Sequence, residues 1–282
     1  MPLVTTFADD AIQALGMFSS SLTSQVDFLI AGGGGAAGGG TARRGGGGGA
    51  GDLRSSVTLS TAGGSSTPTL DSALTGIGVG STLTISVGVA GTYGNSSGGS
   101  TNGGNSVLTF GATTITSLGG GYGGYGTTSP TAGNKGGSGG GGGGNSSSGG
   151  AASGVNTFAG GAANVAGTSV NGGGGGGAGG AGATSLAGGS GGFGLSSSIT
   201  GTATTYCVGG VGTGTAQSGR TYGWGGDSEV SNANNGVVII RWLTSAYSGT
   251  PTFSGLTHGS ISTTGLYSYV VITAGTNGTM VF

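Results

Sequence analysis

"VNGGGGGGAGGAGA", Val170 to Ala183, holds nine glycines in fourteen positions. Its reading decides the fold. A glycine tract of this kind is usually flexible coil. The alternative is that the tract is itself a packed part of the domain. Two features favour packing. Similar runs recur at Ala31–Gly51 (interrupted by Thr41, Ala42, Arg43 and Arg44), Gly119–Gly126, Gly136–Gly144 and Ala187–Gly194. The runs are also bracketed by two apolar stretches, "VDFLIA" from Val26 and "GVVIIRW" ending at Trp242.

Packing glycine has a physical condition. Ordering each residue costs about 1–2 kcal/mol, and glycine has no side chain to bury in return. Backbone hydrogen bonds contribute a net of about 0.5–1.5 kcal/mol each. The balance closes only if nearly every N–H and C=O is paired. Polyproline II geometry permits this, with three residues per turn, about 3.1 Å rise and outward-pointing peptide groups. Such helices, lying side by side, bond to one another. Collagen is excluded, because the chain has only 4 prolines and no strict triplet period. Calcium-binding glycine repeats need an Asp in every repeat, which the few carboxylates here cannot supply.

Composition narrows the function. The 282 residues include 78 glycines and only 5% charged residues, against about 25% in an ordinary domain. Six Lys and Arg against seven Asp and Glu give a net charge of −1, which offers no basic surface for nucleic acid. No stretch approaches the ~18 consecutive apolar residues of a membrane-spanning helix. The opening "MPLVTTFADDAIQALGMFSS" carries Asp9 and Asp10 where a signal peptide has positive charge. The lone Cys207 cannot staple the chain and has no nearby His or acid to activate it.

Three regions are expected. Residues 1–25 form an N-terminal attachment segment, with Phe7, Ile12, Leu15 and Phe18 at roughly helical spacing. That segment is either a contact for another chain or a cap on the main domain. Residues 26–242 form the glycine-rich domain. "SSVTLST", "STLTISVGVAG" and "NSVLTFGATTITSL" alternate apolar and polar residues between turn signals, predicting antiparallel strands within 55–118. Ser147 falls in a predicted loop. Residues 243–282 form a C-terminal β-hairpin or small sheet, with "GTNGT" as the turn between "YSYVVIT" and "TMVF". The predicted class is therefore mostly β and irregular: polyglycine II helices bundled and framed by antiparallel strands, plus a small C-terminal β unit.

The stretches "VDFLIAGGGGAAGGG", "LTISVGVAG", "NSVLTFGATTITSLGGGYGG" and "NNGVVIIRW" resemble a glycine-rich domain of phage tail and tail-fibre proteins, which also occurs in bacterial and viral surface proteins. The resemblance covers about Val26 to Trp242. In phage tail-tip adhesins of this composition, bundled polyglycine II helices form a rigid core and the loops between runs contact the host receptor. The resemblance implies that architecture here, within a non-enzymatic structural protein on the exterior of a virion. Its implied partners are copies of itself, other virion proteins, and a host surface carbohydrate or outer-membrane protein. Competing readings are a cellular extracellular fibre or surface coat, which needs an export route, and an ice-binding protein, which needs a regular Thr or Ala row.

Chemistry-bearing motifs are sparse. Glycine patterns of the dinucleotide-binding kind arise inevitably at this composition, and no G-K-[ST] phosphate loop is present. His258 is the only histidine, so neither a metal site nor a catalytic constellation is expected, and no cofactor. Asp227 and Glu229 read as a solvated turn before the closing strand. One "RRGGG" is too little for RNA binding. The aromatics carry more. Tyr122 and Tyr125 are one polyproline II turn apart and should point the same way. With Tyr222 and Trp224 they are candidate receptor contacts, or else they cover the edge of the bundle. Apolar residues at the two ends, Phe7, Ile12, Leu15 and Phe18 with Tyr267, Tyr269 and Phe282, are candidate assembly contacts.

Overall fold

The computed structural model describes residues 24–41, 44–61, 66–95, 98–163, 171–187, 189–212, 217–228, 232–247 and 249–282. Phe7, Ile12, Leu15 and Phe18, and with them the expected N-terminal segment, lie outside the described residues, as do Arg43 and Glu229.

The two apolar brackets meet. β1 (Ser24–Ala31) pairs antiparallel with β10 (Val237–Leu243), from Val26 opposite Trp242 to Ala31 opposite Val237. Around this pair grows a ten-stranded antiparallel sheet, made with β2 (Leu53–Ser55), β4 (Leu74–Ile77), β5 (Thr82–Ser86), β6 (Ser106–Phe110), β7 (Thr113–Ser117), β11 (Thr252–His258), β12 (Ser262–Thr264) and β13 (Tyr267–Val281). Its main path runs β2-β1-β10-β13-β5-β6-β7 and nearly closes, for Asp52 N donates to Leu118 O at 2.8 Å just beyond the two end strands. A second sheet orders β3 (Leu59–Thr61), β8 (Leu195–Ser197) and β9 (Thr204–Tyr206).

Near-continuous apolar runs in β1 and β10 follow from burial on both faces. Phe28, Ile30, Val238, Ile240 and Trp242 point into the barrel with Leu83, Ile85, Ile272 and Met280. The alternate residues Leu29, Ala31, Val237 and Ile239 point outward onto Leu53, Leu195, Ile199, Tyr206 and Cys207, in a second cluster beneath the small sheet. Two cores thus share one strand pair, each strand side chain serving one of them by the twofold alternation of the β-strand.

The glycine runs pack as a lattice of extended helices. All seven amides from Gly46 to Asp52 donate to other segments, in a strict three-residue rotation. Gly46, Gly49 and Asp52 donate to Gly124, Gly121 and Leu118; Gly47 and Ala50 to Gly173 and Gly176; Gly48 and Gly51 to Gly226 and Gly223. The carbonyls of the same run accept from three further segments: Gly46 and Gly49 from Gly38 and Gly35, Gly47 and Ala50 from Gly141 and Ser138, and Gly48 from Gly210. One central helix is therefore bonded to six neighbours, as threefold polyproline II geometry allows. Gly172–Gly177 are surrounded similarly, donating to the 139–142, 210–212 and 180–183 segments and accepting from Gly47, Ala50, Gly161 and Gly192.

Close approach is why these residues lack side chains. A Cβ on Gly48 would sit 2.0 Å from Gly35 O, and one on Gly174 would sit 2.0 Å from Ser190 O. Where a run carries alanine at its sheet-facing end, as at Ala31, Ala50 and Ala178, the methyl enters the second apolar cluster. Choice of Gly or Ala along a run thus records which neighbour each position faces.

Two expectations need correcting. The C-terminal unit is β, but β13 lies between β10 and β5 in the main sheet, so residues 243–282 are continuous with the framework. "GTNGT" does not reverse the chain: β13 runs through it as one 15-residue strand. Gly275 (φ 143°) and Asn277 (φ 50°) bend it there, where its register with β11 shifts. Ser147 does lie in a loop, just after a turn at 144–146, but it is buried there, and its carbonyl accepts from Ala163 N at 2.8 Å.

Candidate functional site

The helix from Leu118 to Gly126 lies at the lattice edge, and its hydrogen bonds reveal which face is outermost. Two of every three amides donate to neighbouring backbones: Gly120 and Gly123 to Gly33 and Ala36, Gly121 and Gly124 to Ser138 and Gly141. The third set finds side chains instead. Gly119 N donates to Asn105 Oδ1 (2.9 Å), Tyr122 N to Asn102 Oδ1 (3.0 Å) and Tyr125 N to Thr131 Oγ1 (2.8 Å). On this side the acceptors are side chains and no longer glycine carbonyls, and the two aromatic residues of the run, Tyr122 and Tyr125, belong to the same three-residue set.

Tyr122 and Tyr125 do point the same way, with ring centroids 6.1 Å apart and planes tilted by 39°. Both are half-buried. The Tyr125 hydroxyl accepts from Ser100 N at 2.7 Å, which fixes that ring. Gly119, one turn before Tyr122, borders a cleft of about 260 Å³ lined by Asn102, Asn105, Lys135, Ser153 and the apolar Leu118 over a glycine floor. Asn102 connects the cleft to the rings: its Oδ1 also accepts from Asn134 Nδ2 at 3.0 Å, and its Nδ2 donates to Lys135 O at 3.0 Å. Sequence reading found the tyrosines and missed Asn102, Asn105 and Lys135. One signal was available, since Lys135 is the only lysine in the chain.

Tyr222 and Trp224 lie elsewhere. Tyr222 packs against the second apolar cluster, and Trp224 is only 8% exposed. The Trp224 Nε1 has no hydrogen-bond partner among the described residues, and the Arg220 guanidinium lies 6.0 Å from the ring centre. Arg220 anchors this corner. It donates to Asp227 Oδ2 (2.6 Å), Asn234 Oδ1 (3.0 Å) and Gly225 O (2.7 Å). Fully buried Asp227 also accepts from Val211 N (3.0 Å) and Gln217 N (2.8 Å). The solvated turn expected at Asp227 is not found: the carboxylate is the buried centre of a clamp holding two glycine segments, its charge met by Arg220 and backbone amides.

Of the proposed assembly residues, Phe282 is internal, 5% exposed, with its ring edge-on to Trp242 (5.4 Å) and Tyr247 (5.2 Å). Tyr269 is half-buried. Tyr267 is 37% exposed and stacks under the Arg241 guanidinium at 4.4 Å. Arg241 is ion-paired with Asp27 across the β1–β10 ladder at 2.7 Å.

Cys207 is fully buried, and burial holds its thiol well above the ordinary value, so it stays protonated. Burial pushes the Tyr206 hydroxyl up to about 12. His258 stacks on Phe253 with centroids 3.9 Å apart. Among the described residues no group of three or more His, Cys, Asp or Glu is placed to hold a metal, and no helix is long and apolar enough to cross a membrane. In comparisons with family models, curated proteins and solved structures, nothing matches this chain.

Proposed function

We propose that the protein is a non-enzymatic structural component of the exterior of a phage particle, in a tail fibre or tail tip, and that it takes part in host attachment. The observation carrying this reading is the lattice. Its backbone groups are spent on cross-links between segments, which makes a stiff body from residues that offer no reactive side chains. Such a body suits the mechanical task of presenting a surface at a distance. The paired tyrosines and the amide-lined cleft on its outer helix provide that surface. In this reading the working form is a homo-oligomer joined to other virion proteins, with residues 1–25 as the attachment segment.

Antibodies raised against the purified protein test the reading by electron microscopy. Labelling of particle tails is the expected result. Labelling of the cell envelope instead would favour the cellular fibre, and labelling of neither would overturn both. Light scattering tests assembly: loss of residues 1–25 should reduce the mass in solution. If the intact protein is already a monomer, the segment is a cap.

One observation favours the ice-binding alternative. Thr279, Thr84, Thr109 and Thr114 are cross-strand neighbours, forming a hydroxyl row over four strands. It is a single row on a sheet curved enough nearly to close, so it makes no repeating flat array. Thermal hysteresis of the purified protein is expected to be absent.

A further inference from the structure

We propose that the outer face of the Leu118–Gly126 helix is a binding site for an acidic glycan, with Lys135 pairing a sugar carboxylate and Tyr122 and Tyr125 stacking under the neighbouring sugar rings. The proposal rests on the attachment reading for its biological setting and names the ligand class of that surface.

Three independent features coincide along one line. The first is geometric. Gly119, Tyr122 and Tyr125 are spaced by three residues, so the cleft that Gly119 borders and the two rings follow one another along the helix; the backbone rises about 9 Å per step, and the two rings lean together to a centroid distance of 6.1 Å. A linear oligomer laid along that face meets the cleft first and the rings in succession. The rings are splayed by 39°, so each offers its own surface instead of stacking fully on its neighbour. Aromatic faces suit the C–H faces of sugar rings, having an apolar body and a polar hydroxyl at the edge.

The second feature is charge. Lys135 is exposed, and no hydrogen bond or ion pair engages its ammonium among the described residues. This contrasts with Arg54, Arg220 and Arg241, which are committed to Asp71, Asp227 and Asp27. No carboxylate lines the cleft. In a chain with 5% charged residues, a lysine left uncommitted beside a cavity is selective for an anion.

The third is the hydrogen-bonding complement. Asn102, Asn105 and Ser153 line the cleft; Asn102 Oδ1 already accepts from Tyr122 N and Asn134 Nδ2 and Ser153 Oγ donates to Gly136 O, so the capacity these groups keep for sugar hydroxyls is the Asn105 amide N–H groups, one Asn102 N–H and the Ser153 lone pairs. Two of these amides are already oriented by the backbone they cap, Asn105 by Gly119 N and Asn102 by Tyr122 N. Tyr125 is held by Ser100 N. The ligand therefore meets groups already in place, which lowers the ordering cost of binding. A flat protein receptor fits less well, since the core of a protein interface is apolar and the cleft beside the rings carries Asn102, Asn105, Lys135 and Ser153.

Titration calorimetry with the intact protein tests this, using oligogalacturonate, alginate trisaccharide and sialyllactose as acidic probes and lactose and cello-oligosaccharide as neutral ones. At least one acidic probe should bind, and about tenfold more tightly than a neutral sugar of similar length. Lys135→Gln should abolish that preference, and added salt should weaken it. Tyr122→Ala should weaken acidic and neutral probes alike. Unchanged thermal unfolding of both variants would show that the fold is intact. Failure of every acidic probe to bind, or acidic binding indifferent to Lys135→Gln, would overturn the proposal. Tail labelling together with adsorption that free protein blocks but acidic glycans do not would overturn it in favour of a protein receptor while leaving the attachment reading standing.

Discussion

The barrel and the glycine lattice are two solutions to the same problem within one chain. In the barrel, Phe28, Ile240, Leu83 and Met280 fill the interior and the backbone pairs edge to edge. In the lattice there is almost nothing to fill. Backbones lie so close that carbonyl oxygens occupy the places where Cβ atoms would stand. The two regions should therefore respond oppositely to the same mutational step. The barrel is sensitive to carbon removed, and the lattice to carbon added.

The largest expected effect is in the lattice. Gly48→Val or Gly174→Val places atoms where Gly35 O and Ser190 O now lie, 2.0 Å from the first added carbon. Neither obstacle is a movable side chain, so helices must separate and several hydrogen bonds fail together. A loss above about 4 kcal/mol, or failure to fold, is expected. Gly78, which has nothing within 4 Å of an added Cβ, is the control: Gly78→Ala should change stability by no more than about 0.5 kcal/mol. Denaturant midpoints compare the two. Amide exchange should independently show protection across Gly46–Asp52 and Gly172–Gly177. Equal sensitivity at Gly48 and Gly78, or coil-like exchange in both runs, would mean the lattice is not the fold.

Next comes the clamp that fastens the lattice edge. Arg220→Ala leaves Asp227 fully buried without its cation, and breaking such a pair typically costs about 3–5 kcal/mol. Adding Asp227→Asn to the same chain should recover part of the loss, because the stranded charge goes with it. If the double variant is no better than the single, the clamp acts through shape and not charge.

In the barrel, Ile240→Ala removes carbon from a fully buried site facing the first core, and about 2–5 kcal/mol is the usual cost. Ile240 also shows what the sequence could reveal. Its stretch reads as a buried strand from composition alone, and the glycine runs read as helices because threefold geometry alone lets such tracts satisfy their backbones. The partners were not legible. Nothing local to "VDFLIA" indicates that it pairs with residues more than 200 positions later. "GTNGT" has the residues of a turn, yet pairing with β5 and β11 carries it through as strand, a tertiary outcome overriding local preference. At the candidate site, Tyr122 and Tyr125 were legible through their spacing. Asn102 was not, and Lys135 was marked only by being the one lysine of the chain, since both join that face from separate segments by lattice contacts.

The smallest effect is electrostatic and lies where the two regions join. Asp52 ends the central glycine helix and is 1% exposed. Its carboxylate accepts from Asn156 N (3.1 Å) and Val155 N (3.4 Å). Burial raises its pKa above the ordinary 3.8, and those N–H groups, with the Arg54 charge, only partly oppose the rise. A carboxyl with a raised folded-state value binds its proton more tightly folded than unfolded. Its contribution to stability is thus fully present below 3.8 and is lost as pH rises through the folded value. Asp52→Asn keeps an oxygen acceptor and removes the titration. Stability of the native protein relative to this variant should therefore improve as pH falls from neutral toward 3.8, read as the difference between two denaturation series. If the native protein instead loses stability relative to the variant as pH falls, the balance is the opposite one. The backbone donors would then outweigh desolvation, and the junction would be an anion-holding turn in which the charge itself secures the end of the lattice to the barrel.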